Sequence, residues 1–369
     1  MEKILVLRIY KTIVGIIGIL GNGLVCLVIG KVSSMQTRTN AFIFHQAVVD
    51  VLGSTMILLQ SEVPLPEPLP NSAQGYFICV FWNSNFVLFL LFVISTFNLM
   101  SLTMKRYFAI VYPFKYQAAF TAHPRLKVGL IIAGCWVLGV AIKAYVAAIF
   151  EFSNGECVAR DIPISQVMGI LTAVLQYVVP VAVMLFAHIR ISMELKRGAA
   201  RVGPAPAPAP VAAAPAAGTS NSHTAQPAPN MMESLMQARR NTFKTLLIVF
   251  ITFLVCWTPN QFLFFMFNVG WTVHDKWYYL LSVAMVATNC CVNPVIYAFK
   301  YRQFRNGFWE MVGRGKRNPF TSNANLQSTN LSIESLKDSH FLQFKGIVCF
   351  SFILFVVNYN TTQIQKKNV

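Results

Sequence analysis

Charge is what this sequence has least of. Charged side chains make up 12% of its 369 residues, about half the share of an ordinary soluble domain. Apolar residues make up 55%. So few charges cannot wet the outside of a soluble globule of this length, and so apolar a chain is not disordered throughout. Acids are the scarcer sign, 13 against 30 Lys and Arg, for a formal net charge of +17. On a soluble protein that excess would point to nucleic acid. Here the bases lie between apolar runs, so topology explains them and no nucleic-acid partner is expected. The eight cysteines show neither zinc-type spacing nor a disulfide framework. There is no internal repeat of the kind transporters carry. No nucleophile–base pair or metal-ligand cluster falls within the apolar runs, so an enzyme is not expected. A separate cleavable signal is also missing, because the first apolar run continues to Gly30 and is long enough to span.

What is present is a series of long apolar runs. A bilayer needs about 20 mostly apolar residues per helix. Seven segments qualify: Leu5–Gly30, Asn40–Ser61, Cys79–Ile110, Leu126–Ile149, Ser165–Glu194, Arg239–Phe267 and Trp277–Phe299. Backbone groups in lipid must find partners within their own segment, which makes each a helix. The expected fold is an all-α membrane protein, a bundle of seven helices. All but six of the 30 basic residues fall on one side of it. The six are Lys3, Arg8, Lys11, Lys143, Arg160 and Lys276. Basic loops stay in the cytoplasm, so the N-terminus is expected outside and the C-terminus inside, with the plasma membrane as location. The outer side carries the acids Glu62, Glu67, Glu151, Glu156, Asp161 and Asp275.

Residues 1–312 form the expected membrane domain. Within it, about 198–230 is an Ala/Pro-rich loop that favours extended polyproline II and should be disordered. Phe304, Phe308, Trp309 and Val312 lie at helical spacing among Arg302, Arg305 and Arg314, which describes a short basic amphipathic helix on the inner leaflet. Residues 313–369 are a cytoplasmic tail. Its sequons, Asn330-Leu-Ser and Asn360-Thr-Thr, should stay unmodified. Its apolar run 346–357 is too short to span; it reads as an interfacial segment or, in preference, a gene-prediction error. The short outer N-tail is expected to be incomplete.

One landmark stands in each apolar run, in order. Gly21-Asn22 lies in the first and Ala47-Val-Val-Asp50 in the second. Lys105-Arg106-Tyr107 closes the third, Trp136 lies in the fourth and Pro180 in the fifth. Phe253-Leu-Val-Cys256-Trp257-Thr-Pro259 is in the sixth, and Asn289-Cys-Cys-Val-Asn293-Pro294-Val-Ile-Tyr297 in the seventh. The set resembles the rhodopsin-like (class A) G-protein-coupled receptors, over about residues 5–312 without the Ala/Pro loop. A neuropeptide-type orphan is the form expected.

Asp50 is a mid-membrane carboxylate, costly unless partnered. Ser95, Asn289 and Asn293 are oxygen donors that should face it. By the resemblance these four form a sodium pocket under Trp257, the one cofactor considered; a protonated Asp50 in a structural hydrogen-bond network is the alternative. Cys79 and Cys157 are the only pair of loop cysteines on one side, and the resemblance implies a disulfide from the third helix to the second outer loop. Cys79 stands two residues further before Arg106 than the family usually shows, which puts the register above Asn85 in question. The resemblance makes Arg106, Tyr107, Pro180, Phe253, Trp257, Pro259, Pro294 and Tyr297 the activation switch, with Pro259 at the hinge of the sixth helix and Arg106 contacting the G protein. This sequence departs from the family at Lys105, which replaces an acid, at His188, which replaces a Tyr, and at the sixth helix base, where Arg239 and Arg240 stand. Like charges there should hold the resting state weakly. His188 is expected to be packed or to snorkel.

Positions matching the family's pocket are Gln60, Asn85, Leu88, Phe89, Phe92, Thr172, Gln176, Asn260, Gln261, Phe264, Tyr279 and Val283. The set is aromatic and neutral-polar, suited to an organic ligand or a peptide end. Leu88 stands where amine receptors carry an Asp, and Ala287 where opsins carry the retinal Lys, so neither chemistry is available. The outer acids favour a basic extracellular peptide over a small molecule. Lys143 is expected to snorkel or to pair with Glu151, or to meet a ligand carboxylate. The resemblance thus implies a receptor for an extracellular ligand that activates heterotrimeric G proteins by outward movement of the sixth helix. Arrestin would read the tail hydroxyls Ser328, Thr329, Ser332 and Ser335. A non-signalling decoy of the same fold is the alternative, and a transporter a more distant one.

Overall fold

The computed structural model describes residues 2–65, 68–153, 155–159, 163–202, 229–272 and 277–313. The tail from 314 on, with its sequons, hydroxyl cluster and apolar run, lies outside the described residues, as does the loop 203–228.

Among the described residues, seven helical stretches are long and apolar enough to cross a membrane. They are α1 (Glu2–Lys31), α2 (Arg38–Glu62), α3 with α4 (Ala73–Phe77, Phe86–Val111), α6 (Pro124–Ile149), α7 with α8 (Pro163–Ala173, Val179–Val202), α9 (Pro229–Asn268) and α10 (Trp277–Lys300). The short α5 (Pro113–Thr121) joins the third and fourth spans. Helix α11 (Arg302–Met311) follows the seventh. An antiparallel hairpin, β1 (Phe150–Ser153) and β2 (Glu156–Ala159), follows the fourth span, with Phe152 opposite Cys157. The fifth and sixth helices run further than the apolar runs alone predict, to Val202 and from Pro229. Both described ends of the 198–230 segment are thus helical.

The irregular points follow from local chemistry. Thr37 caps α2 by accepting the Asn40 N–H. Proline opens α5 and α6, where its missing N–H costs nothing. The third span is broken. Ile78–Asn83 forms wide turns closed by Ser84 N–H onto Cys79 O, five residues back, and Asn85 then takes a left-handed conformation at φ 57°. A wide turn adds residues without adding height, so it absorbs the surplus between Cys79 and Arg106. Below Asn85 the chain runs as one continuous helix to Val111. A similar wide turn, Val174–Val178, interrupts the fifth span above Pro180.

The helices pack α1 against α2 and α10, and α4 against α2, α6 and α8. Gly139 and Gly307 are two of the glycines that permit close approaches between elements. A Cβ on Gly139 of α6 would stand 2.8 Å from Ile94 of α4, and one on Gly307 of α11 would stand 2.7 Å from Met35. Helix α11 therefore seats Phe304 and Gly307 against the first cytoplasmic turn while Trp309 and Val312 stay exposed. Of the apolar stripe read from the sequence, Phe304 faces protein and those two face outward. Many large apolar side chains on the bundle's outside are exposed, Leu20, Leu130, Val137 and Phe186 among them, as a lipid-facing surface requires. Asn22 ties the first and seventh spans by donating to Cys290 O at 2.7 Å.

Candidate functional site

The interior polar side chains fall into three tiers along the bundle. In the outer tier they pair across helices. Gln176 donates to Gln261 at 2.9 Å, joining the fifth and sixth spans. Asn260 donates to Ser282 at 3.2 Å, joining the sixth and seventh, and Ser282 donates on to Tyr279 O at 2.8 Å. Thr172 is buried beside them in sequence, while Leu88, Phe264, Tyr279 and Val283 are half-buried. Gln60 and Asn85 turn elsewhere: both amides point at the irregular turn of the third span, toward Trp82 O and Asn83 O, each at 3.4 Å. Asn85 is the residue that restarts the helix, not a free donor.

Below them runs a file of aromatic rings. Phe89 meets Phe92 edge-on at 6.1 Å, Phe92 meets Trp257 edge-on at 5.3 Å, and Trp257 lies 5.9 Å from Phe253. Trp257 stands two residues before Pro259, the proline inside α9. Its indole Nε1 is buried without a partner.

Lys143 departs from expectation. It neither snorkels nor pairs with Glu151. It is 4% exposed, with Nζ 5.2 Å from the centre of the Phe89 ring. Among the described residues it makes no hydrogen bond or ion pair. By contrast Glu62 pairs with Arg8 at 2.7 Å on the surface. Glu151 and Glu156 are exposed on the hairpin, and Glu67, Asp161 and Asp275 lie outside the described residues. The hairpin is clipped to the third span by the Cys79–Cys157 disulfide, with Cα atoms 5.4 Å apart, as the resemblance implied.

The middle tier centres on Asp50, 2% exposed. Asn293 donates to its Oδ2 at 2.8 Å and Ser95 to its Oδ1 at 3.3 Å. Asn289 is buried on the same helix but makes no bond to the carboxylate. A residue that the sequence reading passed over completes the set. Gln46 Nε2 reaches both Asp50 oxygens, at 3.1 and 3.3 Å, and also donates to Ser95 Oγ. Gln46 Oε1 accepts from Asn98 Nδ2 at 2.8 Å, Asn98 Oδ1 faces His45 Nδ1 at 2.9 Å, and His45 Nε2 faces Trp136 Nε1 at 3.0 Å. The available signal was spacing: His45 and Gln46 lie one turn before Asp50, and Asn98 lies three residues after Ser95, all in apolar runs. As arranged, the donors do not fit a bound cation. A hard cation wants oxygens, and here an amide N–H group sits among them.

The inner tier is a cavity of about 530 Å3, lined by Arg38, Arg106, Tyr116, Arg239 and Phe243 among others. No acid lines it. Arg106 Nε is buried without a partner, and among the described residues no ion pair reaches Arg106. Lys105 turns away to Thr39 Oγ1 at 3.0 Å and over the Phe42 ring at 5.3 Å. Tyr107 and Tyr297 are buried and do not line the cavity. Tyr107 packs on Phe186 at 5.8 Å. His188 is packed rather than snorkelling: Nδ1 is 2.7 Å from Met184 O and the ring stacks on Phe250 at 4.8 Å. Pro180 and Pro294 are buried in the fifth and seventh spans.

Comparison with known proteins adds the following. The sequence profile of the family described as "7 transmembrane receptor (rhodopsin family)" matches residues 21–297. The RYamide receptor of Drosophila melanogaster is 26% identical, over 85% of this chain and 64% of its own length. The adenosine receptor A2a of Homo sapiens is 26% identical over 81% of this chain and 70% of its own. The galanin receptor 2a of Danio rerio is 24% identical over 86% and 80%. The chain thus spans a little under two thirds of the RYamide receptor.

Proposed function

The chain belongs to the rhodopsin family of seven-transmembrane receptors, and from that premise we propose that it binds an extracellular ligand and activates heterotrimeric G proteins. The plasma membrane, with the N-terminus outside and the C-terminus inside, is the location this reading requires. The observation that carries it is the ring file from Phe89 through Phe92 to Trp257. It joins the outer tier of amides and aromatics to the turn of α9 that holds Pro259, above a cavity lined by arginines. A ligand that presses on Phe89 acts on Trp257 through two rings. An outward swing of the lower half of α9 would carry Arg239 and Phe243 away from Arg106 and widen the cavity for a G-protein segment. The mechanism is a population shift: agonist favours the open state by its differential affinity for it.

A peptide is the favoured ligand class, supported by the neuropeptide-type relatives, the RYamide and galanin receptors. Exposed Glu151 and Glu156 on the hairpin suit a basic residue of such a peptide. Lys143 adds a demand of its own. It is a buried ammonium with only a ring for company, so an acidic group on the ligand, such as a free peptide C-terminus, would complete it.

The test is a screen of peptides, each as free acid and as amide, and of lipids, against a chimeric G-protein reporter in cells expressing the chain. Agonist-dependent nucleotide exchange is expected. A ligand that binds at the cell surface without exchange would instead support the decoy reading, which Lys105 in place of an acid keeps open. Arrestin recruitment through the tail hydroxyls is tested in the same cells after agonist.

A further inference from the structure

The direction of each hydrogen bond in the relay from Trp136 to Gln46 can be fixed from chemistry alone. An indole N–H only donates, so His45 Nε2 must accept from Trp136. The imidazole then carries its proton on Nδ1 and donates to Asn98 Oδ1. Asn98 Nδ2 is confirmed as the amide nitrogen because it also donates to Phe42 O, a backbone carbonyl, at 3.0 Å. It therefore donates to Gln46 Oε1. That leaves Gln46 only its Nε2 to face Asp50 and Ser95. The side-chain flip that usually makes an amide ambiguous is closed off by a chain of four residues on three helices.

Gln46 Nε2 thus touches three oxygens at once: both carboxylate oxygens of Asp50 and the hydroxyl of Ser95. That is the point at which a cation held by those two residues would sit. Asn293 also turns its N–H to the carboxylate, so its own oxygen faces away. To admit a cation, Gln46 would have to leave Asp50, Ser95 and Asn98 together, stranding a buried amide.

We propose that the Gln46 carboxamide takes the place of a sodium ion in this chain. The central carboxylate is satisfied from within, and the conformational balance is indifferent to sodium. The proposal stands whether or not the ligand reading above is right, because it concerns the ligand-free protein. It also gives Trp136 a role: from the fourth span it sets the orientation of an amide in the second.

The experiment uses the full chain purified in lipid nanodiscs. Thermal unfolding is followed in sodium chloride and in choline chloride at matched ionic strength. The wild-type midpoint should be the same in both salts. Gln46→Leu removes the amide while leaving Asp50, Ser95, Asn289 and Asn293, and its midpoint should rise by several degrees in sodium over choline, as for any ligand that binds only the folded state. Asp50→Asn added to Gln46→Leu should abolish that rise. If Gln46→Leu does not fold, Gln46→Glu keeps the shape, adds a second carboxylate, and should also become sodium-dependent. A sodium-dependent wild-type midpoint overturns the proposal. So does a folded Gln46 variant that stays indifferent to sodium.

Discussion

Replacing Lys143 by Met should stabilise the ligand-free protein while weakening its response to acidic ligands. The side chain is 4% exposed and its ammonium meets only the Phe89 ring, at 5.2 Å. A lysine at the centre of a membrane helix costs about 3 kcal/mol on insertion scales, the upper figure for Lys143, which lies nearer the outer end of α6. A desolvated cation–ring contact returns about 2 kcal/mol. The balance is a net penalty of up to about 1 kcal/mol, which Met removes, since its thioether fills the stem's volume and tolerates an aromatic neighbour. For a bundle of this size 1 kcal/mol moves the unfolding midpoint by about 2 °C. The assay is thermal unfolding of purified wild-type and Lys143→Met protein without ligand, in parallel with free-acid and amide ligand pairs in the signalling reporter. The expected pattern is a midpoint raised by up to about 2 °C and a free-acid potency lowered at least about tenfold, the loss of roughly 1.4 kcal/mol of binding, with amide potency unchanged. A midpoint that drops by several degrees would refute the reasoning, because it would mean that the ammonium already has its partner within the fold.

Gln176→Leu or Gln261→Leu should each destabilise by about 1–3 kcal/mol by stranding the other buried amide, whereas the double Leu variant should recover most of it; a double-mutant cycle on unfolding midpoints reads the difference, and additive losses would count against the pair. Cys79→Ser and Cys157→Ser should lower cell-surface expression equally, and the double variant no further, because both break one bond; flow cytometry of a surface tag decides, and unequal losses would show that one thiol acts alone. Lys105→Asp places an acid beside the unpaired Arg106 and releases Thr39. Ligand-independent reporter output should fall at equal surface expression, and unchanged basal output would mean that the missing acid does not set the resting state.

Much of the fold was legible because a bilayer dictates it: about 20 apolar residues per span leave few ways to miscount. The landmarks then sorted the spans, and the Cys79–Cys157 pair stood out as the only two loop cysteines on one side. The break at Ile78–Asn83 was visible only as a surplus of two residues, since wide turns have no composition of their own and Asn85 reads as an ordinary polar residue. The Asp50 neighbourhood was half legible. Ser95 and Asn293 follow from the resemblance, but His45, Gln46 and Asn98 matter only as a relay, and a relay depends on which helix faces bring the amides together. Lys143 was misjudged for a related reason. A lysine stem in a membrane helix can reach either way, and only the position of Phe89 on the neighbouring helix shows that it reaches in.

The distribution of satisfied and orphaned groups bears on how such a bundle could switch. In the middle tier each oxygen of Asp50 has a donor, and the orientation of Gln46 is fixed through Asn98, His45 and Trp136. Orphans lie on either side of this tier, Trp257 Nε1 in the ring file and Arg106 Nε at the cytoplasmic cavity, with Lys143 beyond Phe89; Asn22 Oδ1, Ser54 Oγ and His188 Nε2 are also buried without a partner. Each unpartnered buried polar group raises this conformation by about 1–3 kcal/mol. A rearrangement that gives any one a partner recovers that amount, which is the size of coupling energies between distant sites. An anion delivered to Lys143 from outside, or an acceptor to Arg106 from the cytoplasm, therefore carries enough free energy to shift the balance by itself.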